Sequence, residues 1–264
     1  MNAMLRSLWD YRYFIFSSIR NDYVVRFSRS KVGLLWMIVH PLVQVLIYAL
    51  VLSEVLSAKF HGIDSKYAYA VYLMSGMLCW SLFSELINKL VGVFTENAEQ
   101  IKKISFPKIC LAAIAIGVSL INNGLLLVGI FFIFASLGYL PGHYVAWLPV
   151  LMLVTTMLAT GIGLILGVLN VFVRDVSQVV PVVLQVLYWL TPIVYGVEML
   201  GDGARDLVES NPLYPLVASF QNVIAFNRSP DLEGLALLVL GAMVLGAVAL
   251  LLFRRASAEM ADVL

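Results

Sequence analysis

Charge is scarce in this chain. Asp, Glu, Lys and Arg make up 12% of its 264 residues, hydrophobic residues make up 61%, and mean hydropathy is +0.93. A soluble globular protein carries about 25% charged residues. The balance excludes a soluble enzyme, a disordered chain and a nucleic-acid binder with a basic face. Seventeen basic residues against sixteen acidic ones leave +1, so net charge points to no partner. Cysteine is nearly absent. Cys79 and Cys110 are too few for a disulfide framework, stand in no metal-ligand spacing and sit in or beside apolar runs, where free thiols are usually buried. His40, His61 and His143 are scattered, which disfavours a metal site. The chain lacks G-x-x-x-x-G-K-[ST], H-E-x-x-H and G-x-S-x-G, so it has no P-loop, no zincin helix and no nucleophile elbow. No catalytic residue is expected, nor a cofactor bound by the chain itself. Residues 1–32 carry six basic residues and no uninterrupted apolar stretch, so no cleavable signal peptide is expected there.

Apolar run length is what the chain has in quantity. A membrane-crossing helix needs about 20 apolar residues. Six stretches qualify: 33–56, 68–94, 109–137, 145–173, 176–197 and 235–253. The joints between them carry charge or turn chemistry, as in the charged loop 96–108, the Gly/Pro turn 138–142 and the Arg174, Asp175 break. In hydrocarbon every backbone polar group must be paired internally, so these runs are read as helices. With the N-terminus inside, twelve Lys and Arg fall on the inner side and four (Lys59, Lys66, Arg205 and Arg228) on the outer side. The positive-inside rule then puts both termini in the cytoplasm. The connection 198–233 is too polar to span and too apolar for a plain loop; 213–225 reads as a short helix dipping back from the outer face.

Residues 5–27 differ. Leu8, Tyr11, Ile15, Ile19, Tyr23 and Phe27 recur at helical steps, with Asp10, Ser17 and Asn21 opposite. This reads as an amphipathic helix in the inner membrane interface, the alternative being a helix docked on protein. Polar residues inside spans are costly and therefore informative. Trp36, His40, Gln44 and Tyr48 share one face of the first span. Gln178, Pro181, Gln185, Tyr188, Pro192 and Tyr195 share one face of the fifth. Aromatic faces stack on the C–H surfaces of sugars and amides bond hydroxyls, so both stripes suit a channel wall; helix packing is the other reading. Glu85 and Lys89 are spaced for a local ion pair. Asn122 and Asn123 suit contact with a partner helix or a cavity wall, packing being favoured, and Ala159, Gly163 and Gly167 form a stripe for close helix contact, within the chain or across a dimer.

The order of these pieces resembles a known family over nearly the whole length. The carrying residues are the N-terminal amphipathic helix, then Gly33, Leu34, Leu35 and Trp36 with Pro41 entering the first span. Phe106, Pro107 and Lys108 precede the third. Arg174, Asp175 and Val176 join the fourth and fifth. Thr191, Pro192, Ile193, Val194 and Tyr195 end the fifth, and Asn211, Pro212 and Leu213 open the outer segment. The chain resembles the membrane (permease) subunit of type-2 ABC exporters, above all those of O-antigen, capsule or teichoic-acid polysaccharide. The resemblance implies an all-α fold: an N-terminal interfacial region, 1–32, and a six-helix transmembrane domain, 33–264, with a coupling loop at 95–108 and an outer gate segment at 198–233. It implies a bacterial inner-membrane homodimer docked on two copies of a separate P-loop ATPase, which binds the ATP and Mg. The substrate would be a polyprenyl-diphosphate-linked glycan drawn from membrane lipid, with no nucleic acid involved. Glu96, Glu99, Lys102, Lys103 and Lys108 would contact the ATPase. The stripes of the first and fifth spans would line the channel. Asn211, Pro212 and Tyr214 would belong to the outer gate. Arg26, Arg29 and Lys31 would attract the diphosphate, unless they only mark the inner side. Two rivals are a same-fold exporter of drug or lipid and an ATP-independent carrier.

Overall fold

The computed structural model describes residues 2–28, 39, 43, 68–103, 106–136, 138–257 and 259–263. Among these residues the regular structure is entirely helical. The elements are α1 (Asn2–Asp10), α2 (Arg12–Ser28), α3 (Ala68–Gly92), α4 (Ala98–Lys103), α5 (Ile109–Ser136), α6 (Leu148–Phe172), α7 (Val176–Leu190), α8 (Asp202–Glu209), α9 (Tyr214–Ile224), α10 (Leu232–Ala256) and α11 (Met260–Val263). Short 3-10 turns cover His143–Trp147 and Val197–Met199. Four helical segments are long and apolar enough to cross a membrane: Tyr69–Gly92, Ile109–Ser136, His143–Phe172 and Leu232–Ala256. The first span of the sequence reading lies outside the described residues.

The fifth run behaves differently from its expectation. The sequence suggests a helix over 176–197, but α7 ends at Leu190 after 15 residues. Pro192 explains the stop, since it has no N–H to continue the ladder and its ring clashes with the preceding turn. Residues 191–195 form turns and bends instead.

α3 is the central post. Its apolar window is 72% buried, against 22% for α10. α3 packs on α5, α6, α7 and α9, whereas α10 leans mainly on α6. Side chains on three sides of α3 are therefore apolar and enclosed: Leu73, Leu78, Leu82, Leu86 and Leu90 are fully buried. The small-residue stripe of α6 makes its close approach inside the chain. A Cβ on Gly163 would lie 2.8 Å from the Leu90 Cβ, and one on Gly167 would lie 2.3 Å from the Leu90 carbonyl oxygen. Cys79 and Cys110 are buried free thiols, as their apolar neighbours imply.

The N-terminal segment is two helices broken at Tyr11 rather than one. Of the stripe read from the sequence, Leu8, Ile19 and Tyr23 turn toward protein, while Tyr11 at the break is exposed. Ile19 is buried, and a Cβ on Gly117 of α5 would lie 2.4 Å from the Ile19 Cδ1. The Tyr23 hydroxyl donates to the Val118 carbonyl at 3.0 Å and to Asn122 Oδ1 at 2.6 Å. Trp9, Tyr13 and Phe16 form a second, exposed face, with the Arg12 guanidinium 4.9 Å from the Trp9 ring and 4.5 Å from the Tyr13 ring. Period alone finds a stripe; it does not say that the aromatic residues a quarter-turn away stay outside.

Candidate functional site

Two ends of the bundle carry the polar architecture. The near end holds α2, α4, α11 and the last turn of α3. The far end holds α8, α9 and the first turn of α3.

At the far end the backbone beyond α7 leaves the helix, and its carbonyls have lost their helical donors. Such backbone is tolerated at membrane depth only where protein supplies partners. The supply is nearly complete. The Asn211 amide donates to the Leu190 carbonyl at 3.3 Å and to Thr191 Oγ1 at 3.0 Å. The Tyr72 hydroxyl reaches the Pro192 and Tyr195 carbonyls, both at 3.0 Å, and Gln221 Nε2 donates to Pro192 at 2.9 Å. The Tyr69 hydroxyl serves the Val194 carbonyl at 2.9 Å. A Cβ at Gly76 would lie 3.0 Å from Gln221 Nε2 and 3.2 Å from Ile193 Cγ2, so a small residue lets the α9 amide and the turn meet α3. The carbonyls at the end of α9 are served in turn by the Tyr139 hydroxyl, at 2.7 Å from Ile224 and 3.1 Å from Ala225. The outer-segment residues read from the sequence thus have distinct places. Asn211 is a clamp, and it also accepts the Leu213 N–H at 3.0 Å. Pro212 is exposed. Tyr214 lines a far-end cavity, where burial pushes its phenol above the ordinary tyrosine value and keeps it neutral.

The α7 stripe divides. Gln178, Pro181 and Gln185 are exposed beside a helix that buries only Val180 and Leu184. Their face is open among the described residues. Tyr188 turns inward, with its ring centroid 5.5 Å from Trp80 and 5.6 Å from Trp189, both edge to face. Tyr195 lies past the helix, and its hydroxyl donates to the Trp189 carbonyl at 2.7 Å. Pro192 and Tyr195 therefore do not continue the helical face; they belong to the turn. Trp36, His40, Gln44, Tyr48, Arg29 and Lys31 lie outside the described residues. Arg26 belongs to α2, with its side chain outside them.

At the near end, Glu96, Glu99, Lys102 and Lys103 are exposed on and beside α4, with Lys103 paired to Glu99 at 2.8 Å. Lys108 is not grouped with them: its Nζ donates to the Ser257 carbonyl and ties the start of α5 to the end of α10. Phe94, just past α3, stacks on Phe253 at 5.6 Å and joins the end of α3 to the same end of α10. Asn170 is a three-way brace. Its amide donates to the Val91 carbonyl at 2.9 Å and to Thr95 at 3.3 Å, and its oxygen accepts the Ser177 N–H at 3.1 Å. It links α6, the end of α3 and the start of α7.

Glu85 and Lys89 form the expected ion pair at 2.8 Å. The pair also extends beyond its own helix. Asn122 donates to Glu85 and accepts from Tyr23, so α2, α5 and α3 share one polar chain. Asn123 reaches α3 as well, donating to the Leu78 carbonyl and Ser81 Oγ, both at 3.0 Å. A cavity of about 550 Å³ lies beside this chain, with Phe14, Asp22, Lys89, Glu96 and Asn97 in its wall. Among the described residues, no three His, Cys, Asp or Glu side chains gather to hold a metal ion. The sequence reading passed over Tyr69, Tyr72, Tyr139, Asn170 and Gln221. For Tyr69, Tyr72 and Asn170 the signal was polarity inside an apolar run; Tyr139 sits in the turn 138–142 and Gln221 in the short helix of the 198–233 connection.

Four helices long and apolar enough to cross a membrane, with a braced irregular turn at one end and a charged loop at the other, are the build of a multi-pass membrane protein. The chain belongs to the ABC-2 type transporter family, whose model matches residues 14–225. Similar proteins include the O-antigen export system permease protein RfbA of Myxococcus xanthus, 25% identical over 264 residues and 99% of each chain. RfbA of Klebsiella pneumoniae is 25% identical over 247 residues, 92% of each chain. The polysialic acid transport protein KpsM of Escherichia coli is 24% identical over 197 residues, 73% of each chain.

Proposed function

We propose that this chain is the permease subunit of an ATP-driven exporter that moves a lipid-linked polysaccharide of the O-antigen kind across the bacterial inner membrane. The observation that carries the reading is the end-to-end likeness to permeases named for O-antigen export, on 99% of both chains in one case. In this reading two copies form the channel, and two copies of a cytoplasmic P-loop ATPase dock at the near end. Both termini are cytoplasmic, and 33–56 with α7 completes six membrane segments. Glu96, Glu99, Lys102 and Lys103 meet the ATPase, while Lys108 and Asn170 carry its motion into α10, α3 and α7. The open face of Gln178, Pro181 and Gln185 lines the channel with the stripe Trp36, His40, Gln44 and Tyr48. α9 is the re-entrant outer gate, and α2 lies along the inner interface with Trp9, Tyr13 and Phe16 toward lipid. Arg26, Arg29 and Lys31 attract the diphosphate of a polyprenyl carrier. The permease does no covalent chemistry, and ATP and Mg stay with the partner.

Capsule export is the second reading, supported by the likeness to KpsM over 73% of each chain. The test is to purify the tagged chain in mild detergent and to delete its gene in the source cells. A stoichiometric P-loop ATPase in the preparation, with loss of the cell's surface glycan on deletion, is the expected result. A preparation free of ATPase that still moves solute in liposomes would overturn it. The glycan lost on deletion separates O-antigen from capsule.

A further inference from the structure

We propose that the far-end cavity is a saccharide-binding site for an uncharged stretch of glycan on the outer side of the membrane. The inference rests on the glycan-export reading and assigns it a contact point distinct from the channel stripes. The cavity measures about 670 Å³, inside the range of small-molecule sites. Its walls come from the first turns of α3, the turn Val197–Met199, α8, α9 and the bend after α9.

The lining sorts into groups already committed and groups open to a ligand. The Tyr72 hydroxyl and the Gln221 amide hold the backbone beyond α7. Arg205 is held by Glu209 at 2.7 Å, and that bond raises its guanidinium pKa above the ordinary arginine value. What remains is Asn222, Arg228, Glu198 and the aromatic rings. Among the described residues no hydrogen-bond partner meets the Asn222 amide or the Arg228 guanidinium.

These groups match the chemistry of a sugar. An amide, a guanidinium and a carboxylate each present paired polar atoms that suit adjacent hydroxyls. The Phe226 ring sits 6.0 Å from Tyr72, edge to face, with the Arg228 guanidinium 5.8 Å from its centroid. Rings of this kind offer apolar faces to C–H surfaces. Glu198 and Arg228 both line the cavity, and Glu209 already occupies Arg205, so the lining carries charge of both signs. A diphosphate would meet a carboxylate there; a neutral polyol meets donors and acceptors.

The site is also preorganised. Asn227 has φ 47°, in the left-handed region that asparagine tolerates. Gly142 makes room for it, because a Cβ there would lie 2.0 Å from Asn227 Oδ1. The bend lets the Arg228 N–H donate to the Asn222 carbonyl at 2.9 Å, which fixes the two open recognition residues relative to each other.

The probe is the surface glycan of the source cells, released by mild acid and cut to short oligosaccharides. Binding to the full-length chain in nanodiscs is read by saturation-transfer NMR, for the wild type, Asn222→Ala and Arg228→Ala. The expected result is binding to the wild type and a loss of about tenfold in affinity for each variant. Equal binding to all three, or none to the wild type, overturns the inference. Should a variant fail to fold, Ala218→Cys in the same wall supplies a second readout: the fragments should slow its labelling by maleimide, and unchanged labelling counts against the site. Gene deletion separates the two levels. If surface glycan is lost on deletion but its fragments ignore the cavity, export stands and this site falls. If surface glycan persists, the export reading itself falls.

Discussion

Gly167 shows how one missing atom sets a helix pair. Its α-carbon faces the Leu90 carbonyl so closely that any side chain must push α6 from α3. Overpacking of this kind costs about 1–3 kcal/mol. Gly167→Ala should therefore lower the thermal unfolding midpoint in detergent. Gly241 of α10 has open space where its Cβ would be, so Gly241→Ala should leave the midpoint unchanged or raise it, by up to about 1 kcal/mol of helix propensity. Equal shifts for the two variants would refute the close-contact account. The contrast has a plain cause. Both are mid-helix glycines in apolar sequence, and only the neighbour across the interface separates them.

At the scale of elements, α2 is fastened by a polar chain. Tyr23 reaches α5 through Asn122 and Val118, and Asn122 continues to Glu85 on α3. Tyr23→Phe removes the hydroxyl and keeps the ring. A lost hydrogen bond of this type is worth about 0.5–1.5 kcal/mol. Faster amide hydrogen exchange confined to residues 12–28 is expected, and unchanged protection there would mean that the Tyr23 hydroxyl does not hold α2. α10 presents the opposite case. Leu237, Leu240, Val244 and Leu251 are exposed on a 25-residue apolar helix, which marks a lipid-facing side. Val244→Arg places a charge near its centre at a cost of about 2.5–3.5 kcal/mol. The membrane-inserted fraction of the expressed chain should fall accordingly, and full insertion would show that this face is covered by protein.

The whole molecule is built around two differently made ends. The near end concentrates exposed charge on α4 and ties it to the bundle through Phe94, Asn170 and Lys108. Reversing Lys102 and Lys103 to Glu should leave folding intact, because both are exposed. It should weaken docking of the ATPase by about tenfold, or about 1.4 kcal/mol, read as ATPase retained on the purified permease. Unchanged retention, with unchanged glycan-stimulated hydrolysis, would move the contact elsewhere. At the far end the side chains that brace the irregular backbone after α7, Tyr69, Tyr72, Asn211 and Gln221, leave little room for such changes.

Much of this was legible in the sequence. Run length and hydropathy located α3, α5, α6 and α10 to within a few residues, because in hydrocarbon a long apolar segment has few choices but helix. The Glu85–Lys89 pair followed from spacing within one helix, and the short helix at 213–225 from its mixed polarity. Pro192 carried the information that ends α7, but the apolar residues around it hid the stop. The side of α2 that meets protein was not legible, since two apolar faces compete and only α5 chooses between them. Nor were the partners of the carbonyls at 190–195. Tyr69, Tyr72, Asn211 and Gln221 come from distant parts of the chain. The sequence alone determined that the chain is a bundle of long apolar helices with a charged loop at one end, because that depends on local composition. The tertiary structure alone decided which polar side chains brace the bundle and which remain open to a ligand, because each hydrogen bond needs two groups that only folding brings together.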